Sequence, residues 1–136
     1  MHFIEFIGRV FLAVLFLIEG LQKTAIQEDV ITYMESHGVP EVFYLPALII
    51  EILIPLLLVV GYKVKFSASI MALFTFTVAI IFHTDFSGEM QSLFFLKDLA
   101  IAGGFLIIVA HGPGNISLDY YLQKEELDYT KDMFQG

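Results

Sequence analysis

Apolar residues fall in four long blocks, at residues 3–21, 42–60, 64–82 and 93–110, divided by short polar or turn-forming stretches. Each block is close to the roughly 20 apolar residues that a helix needs to cross a hydrocarbon layer about 30 Å thick. The blocks are nearly uninterrupted, unlike the one-sided stripes of a bundle that folds in water. The pattern predicts an all-α integral membrane protein: a four-transmembrane-helix bundle over residues 1–119, followed by a polar tail at 120–136. The first block carries Arg9 and Glu19 and is followed by no small-residue cleavage site, so it is expected to stay as a span and not to be removed as a signal peptide.

The connections suggest an orientation. Gly61-Tyr62-Lys63-Val64-Lys65 is a tight turn with two lysines and no acid, which the positive-inside rule places in the cytoplasm. Four spans then put both termini there as well, with Lys124 and Lys131 in the tail, while the opposite loops hold Lys23 alone among several acids. In the longer outer connection, Lys23 to Glu41, Thr24-Ala25-Ile26-Gln27 has capping-box spacing, and Ile26, Val30 and Met34 recur every four residues up to Gly38. This predicts a short amphipathic helix in the first outer loop, either a lid or an ordinary interfacial connector. Glu28, Asp29 and Glu35 on its other face disfavour anionic lipid, so packing onto the bundle is expected. His111-Gly112-Pro113-Gly114-Asn115-Ile116-Ser117 is a turn-rich break, after which the tail is a surface helix or disordered.

Composition agrees with a lipid-embedded chain: hydrophobic residues make up 57% and charged residues 16% of the sequence, with a mean hydropathy of +0.78. The lipid bilayer is the first partner implied. There is no cysteine, which excludes disulfides, thiolate metal sites and dithiol redox chemistry carried by this chain, and no metal centre is expected. A net charge of -8 and the lack of a basic cluster exclude nucleic acid as a partner.

The informative residues are the ionisable ones inside the blocks, each costing about 2.5–3.5 kcal/mol near the bilayer centre unless it faces the bundle interior and finds a partner. Glu19 with Lys23 at the end of the first span, Glu51 in the second, His83 closing the third, and Lys97 with Asp98 in the fourth all fall in the outer half of the membrane. One polar pocket is the economical outcome. Glu19 and Lys23 have the favourable i, i+4 order of a local ion pair. Glu51 has only apolar neighbours, so it reaches across to Lys97, binds a ligand, or is protonated. His83 is either an interfacial residue or a pocket group. Pro55 should free a backbone carbonyl near this layer. On the cytoplasmic side an Arg9–Asp119 pair would tie the tail to the bundle.

Gly8-Arg9, Glu19-Gly20 with Lys23, Gly38-Val39-Pro40, Glu51, Gly61, His83, Lys97-Asp98, Gly103-Gly104, and Gly112-Pro113-Gly114 through Ser117-Leu118-Asp119 together resemble the DoxX family over about residues 7–119. One departure is Lys97-Asp98, where Lys-Asn is expected. The resemblance implies a small four-helix protein of the prokaryotic inner membrane, related to the small membrane subunit of thiosulfate:quinone oxidoreductase and to proteins of oxidative-stress defence. It singles out Arg9, Lys23, Glu51, His83 and Lys97 as motif positions.

Two function classes follow. In the first, the outer-half pocket (Glu19, Lys23, Glu51, His83, Lys97, Asp98) holds a quinone or similar small lipophilic molecule as part of a membrane oxidoreductase system, with a soluble or membrane partner supplying electrons. In the second, the same ionic cluster is structural and the bundle is a non-catalytic anchor or assembly module. A proton or solute pathway ranks behind both, since the chain shows no internal repeat of the transporter kind. A homo-oligomer is compatible with either class.

Overall fold

The computed structural model describes residues 1–135, and the described chain is all-α. Six helices follow in order: α1 (His2–Ala25), α2 (Gln27–Ser36), α3 (Tyr44–Val60), α4 (Val64–Phe82), α5 (Glu89–His111) and α6 (Leu118–Gln135), with a 3₁₀ turn at Glu41–Phe43 before α3. The segment Glu41–Val60, α4 and α5 are each long and apolar enough to cross a membrane. Helix α1 has 24 residues, about 36 Å at the helical rise, but Glu5, Arg9, Glu19 and Lys23 interrupt its apolar content.

Two boundaries differ from expectation. The capping box at Thr24 does not form. Thr24 lies in the last turn of α1 and its hydroxyl donates to the Leu21 carbonyl at 2.6 Å, so the break falls at Ile26, whose backbone (φ -123°, ψ 40°) separates α1 from α2. Helix α5 starts a turn before its apolar block, at Glu89, because the extended Gly88 sets its beginning and polar residues fill the first turn.

The helices pack as two pairs, α1 on α3 and α4 on α5, and α3 and α4 are joined by the short turn after Val60. The core lies in the half of the bundle near that turn, where Leu58, Val64, Ala68, Met71 and Phe105 are fully buried. The pairs meet where Phe16 contacts Phe105, ring centroids 5.7 Å apart, and where Leu12 lies against Gly104; a Cβ on Gly104 would sit 3.2 Å from Leu12 Cδ1.

The turn end is closed by hydrogen bonds. Arg9, 3% exposed, donates to the carbonyls of Pro113 and of Ile116, the latter at 2.6 Å. Asp119 accepts from the Lys63 and Val64 N–H groups at 2.7 and 2.8 Å, capping the start of α4, where orphan N–H groups and the helix dipole favour a carboxylate. The expected direct Arg9–Asp119 pair is therefore replaced. Both residues still tie the segment after α5 to the bundle, but each does so through backbone, since the loop leaves carbonyls and the helix start leaves donors that need partners. The tail continues as helix α6, which has no buried residue.

Gly61 is held in this junction with φ +82°, and a Cβ there would lie 2.5 Å from Ser117 Cβ and 2.7 Å from Ser117 Cα. Gly38 has a similar φ of +76° but open space around it. Gly38→Ala should cost the left-handed penalty alone, about 1–2 kcal/mol, whereas Gly61→Ala should cost at least twice as much because backbone must move. Thermal unfolding of the two variants in one detergent checks this; equal losses would show that the Ser117 contact is slack.

Candidate ligand-binding site

Away from the packed half, the helix pairs enclose a cavity of about 780 Å³. Helix α2 and the Ile26 that precedes it cover its end, and the residues of the sequence repeat, Ile26, Val30 and Met34, line the cavity. It is held there by aromatic contact: Tyr33 stacks on Phe82 at 5.6 Å, and His37 lies 5.2 Å from the same ring. A shallower depression of about 550 Å³, bounded by Thr24, Gln27, Glu41 and Leu45 among others, is lined by no buried acidic or basic side chain.

The polar side of the cavity is built around Glu51, 2% exposed on α3. Gly20 makes its pairing possible. A Cβ at Gly20 would stand 2.9 Å from Ile52 Cγ1, so only glycine lets α1 come this close to α3, and three residues on, Lys23 donates to Glu51 Oε1. The Tyr44 hydroxyl donates to the Lys23 carbonyl at 3.1 Å and holds the end of α1 in place. The partner of Glu51 is thus Lys23 and not Lys97, one of the three alternatives that the sequence leaves open for it, and Lys23 is turned across to α3 in place of the expected local pair with Glu19. Glu51 Oε2 is buried and receives no hydrogen bond from the described residues. Pro55, one turn on, has no N–H to offer the Glu51 carbonyl.

A second pair lies on the other side. His83 is only 19% exposed at its side chain, with Nδ1 at 2.9 Å from Gln91 Oε1 and Nε2 at 3.6 Å from Asp98 Oδ2. Asp98 Oδ2 is also buried and receives no hydrogen bond from the described residues. The His83 ring packs against Phe94 at 5.5 Å. Between α4 and α5, the Ser87 hydroxyl and N–H donate to Asp85 Oδ1 at 2.7 and 3.2 Å, which holds that carboxyl below its usual range and turns the chain towards α5.

Of the residues singled out in the sequence, Glu19, Lys23, Glu51, His83 and Asp98 line this one cavity. Lys97 does not. A helix turns 100° per residue, so with Asp98 facing inward its neighbour points away; Lys97 is exposed and its ammonium lies 5.6 Å from the Phe94 ring. Sequence reasoning missed Gln22, Thr75 and the anchoring Gln91. Gln22 and Gln91 are polar residues at the edges of apolar blocks and were visible as such. Thr75 gives no signal, since its hydroxyl is satisfied by the Met71 carbonyl at 2.7 Å and it reads as an ordinary buried threonine.

The walls are mostly apolar and the ionisable groups are few and convergent, the usual make-up of a site for a small molecule with an apolar body and a polar head. Among the described residues no group of three or more His, Cys, Asp or Glu is placed to hold a metal ion. Removing one member of the Lys23–Glu51 pair leaves the other uncompensated. Lys23→Met should destabilise the protein by about 3 kcal/mol, and Lys23→Met with Glu51→Leu should recover most of that loss. A double-mutant cycle on unfolding in detergent measures the coupling; additive losses would show that the pair is not formed.

The DoxX family profile matches residues 4–84. Inner membrane protein YqjF of Escherichia coli (strain K12) is 36% identical over 120 residues, covering 88% of this chain and 92% of the relative. Inner membrane protein YphA of the same organism is 31% identical over 120 residues, covering 83% of this chain and 86% of the relative. No solved structure matches. The matched region contains α1 to α4, with Arg9, Glu19, Lys23, Glu51 and His83 inside it. With its membrane-spanning helices and these inner-membrane relatives, the chain belongs to the DoxX family.

Proposed function

We propose that this protein binds a quinone or similar small lipophilic molecule in the α2-covered cavity, as the membrane subunit of an oxidoreductase system whose partner supplies the electrons. The observation that carries the reading is the cavity itself: apolar walls with Lys23–Glu51 on one side and His83–Asp98 on the other. Lys23 and His83 supply donors for a carbonyl oxygen, and Glu51 and Asp98 are carboxyl groups able to give or take protons as such a ring is reduced. Closure by α2 keeps bulk water from the head group.

The reading includes four spans, with α1 as the first. In its support, α1 exposes Phe3, Phe11, Ile18 and Leu21 while burying Arg9 and reaching inward with Lys23. It also includes cytoplasmic termini, supported by Lys63 and Lys65 at the α3–α4 turn, so that the cavity lies in the outer half of the inner membrane. The chain has no cysteine of its own, so single cysteines report sidedness cleanly. In intact spheroplasts Ser87→Cys should react with an impermeant maleimide and Lys63→Cys only after permeabilisation; the reverse pattern inverts the orientation, and labelling of both removes the four-span topology.

Ligand identity is tested by purification in mild detergent and mass spectrometry of the organic extract. A quinone near one per chain is expected, falling at least fivefold in Glu51→Gln and His83→Ala. An extract without quinone, together with a co-purifying protein, would favour the anchor role instead.

A further inference from the structure

We propose that the cavity is loaded sideways from the bilayer, between α3 and α4, by an amphiphile whose head group donates hydrogen bonds to Glu51 and Asp98. The inference rests on the cavity being a ligand site, as above, but not on the ligand being a quinone.

The route follows from which walls are closed. The inner end is the packed core around Leu58 and Met71. The opposite end is covered by α2 through the Tyr33–Phe82 stack. On the sides, Pro46 of α3 and Thr77 and Ile81 of α4 line the cavity and are exposed, as are Glu19 and Gln22 of α1, but the α3–α4 edge carries no ionisable group and is the one that suits an apolar body arriving from lipid. Residues that face both an interior space and the exterior mark an opening, and this one lies in the helical, lipid-facing part of the chain. The physical cause is the pairing of the helices. With α3 committed to α1 and α4 to α5, α3 and α4 pack on each other less extensively than either does on its main partner.

The head-group chemistry follows from the two buried oxygens. An ionised carboxylate only accepts hydrogen bonds. Lys23 takes Glu51 Oε1 and leaves Oε2; His83 stands 3.6 Å from Asp98 Oδ2, beyond hydrogen-bond distance. A buried acceptor without a donor is costly, and more so in a medium of low dielectric. A head group with two hydroxyls answers both oxygens; one whose oxygens are all ethers adds acceptors opposite acceptors.

The test uses protein in liposomes with two radiolabelled probes, an alkyl resorcinol and its dimethyl ether. The ether replaces both O–H donors with methoxy groups, and neither probe interconverts with a quinone, which keeps the result separate from the extraction experiment. Wild type should bind the resorcinol at least tenfold more tightly, and Asp98→Leu should lose most of that preference. Thr77→Trp and Ile81→Trp, which place bulk in the opening, should slow association and dissociation at least tenfold each. Equal binding of the two probes overturns the donor requirement while leaving the cavity a ligand site. Unchanged association in both tryptophan variants overturns the lateral route. Binding of neither probe overturns the inference and the ligand-site reading together.

Discussion

The ion pair between Lys23 and Glu51 is the interaction on which the rest of the arrangement depends. A carboxylate inside a helix whose neighbours are Ile49, Ile50, Ile52 and Leu53 has nothing local to answer it, and an isolated charge at such depth is not tolerated. The answer comes from α1, and it sets the distance between two helices: Gly20 removes the side chain that would hold α1 off Ile52. Once α1 and α3 are joined in this way, Glu19 and Gln22 line the same space and Tyr44 closes over the end of α1. The pair satisfies one oxygen of Glu51 and leaves the other bare. A bundle built only for rigidity gains nothing from that half-satisfied group, whereas a ligand site does.

The molecule divides its labour along the membrane normal. At the Gly61 end Arg9 and Asp119 are anchored on backbone: Arg9 on the carbonyls of Pro113 and Ile116, Asp119 on the first N–H groups of α4. Large side chains fill the space beside this junction. At the other end the helices surround the cavity, and α2 reaches α4 through the contacts of Tyr33 and His37 with Phe82. Stability comes from the first half, which leaves the second free to stay hollow and to move. The segments that open most readily are the less tightly held parts of a fold, and α2, with one buried residue, is held less tightly than the core helices.

Much of this was legible in the chain. Uninterrupted apolar blocks located α3 and α4 almost to the residue, because a helix in lipid must bury all its backbone polar groups and leaves little choice of boundary. The convergence of Glu19, Lys23, Glu51, His83 and Asp98 followed from counting residues along antiparallel helices. Partners were less legible. Depth is set by a rise of 1.5 Å per residue, but direction around the helix is set by packing, so Lys97 and Asp98 had the same depth and opposite fates. The Arg9–Asp119 expectation placed both residues at the right junction and missed that backbone groups freed by Pro113, Gly61 and the start of α4 outcompete a direct pair. The capping-box pattern at Thr24 failed for a related reason: α1 continues through the threonine, whose hydroxyl is satisfied within its own helix. The side opening has no sequence signal, since it arises from what α3 and α4 pack against elsewhere.

The central claim is that residues from α2, α3 and α4 surround one ligand-binding space. The most direct test is protection of single cysteines at Val30, Ala47 and Val78, one from each element, against a small thiol reagent in liposomes while a quinone is titrated. The account predicts that all three are protected together, with a common midpoint. Protection of one position alone, or midpoints that differ between positions, would contradict it.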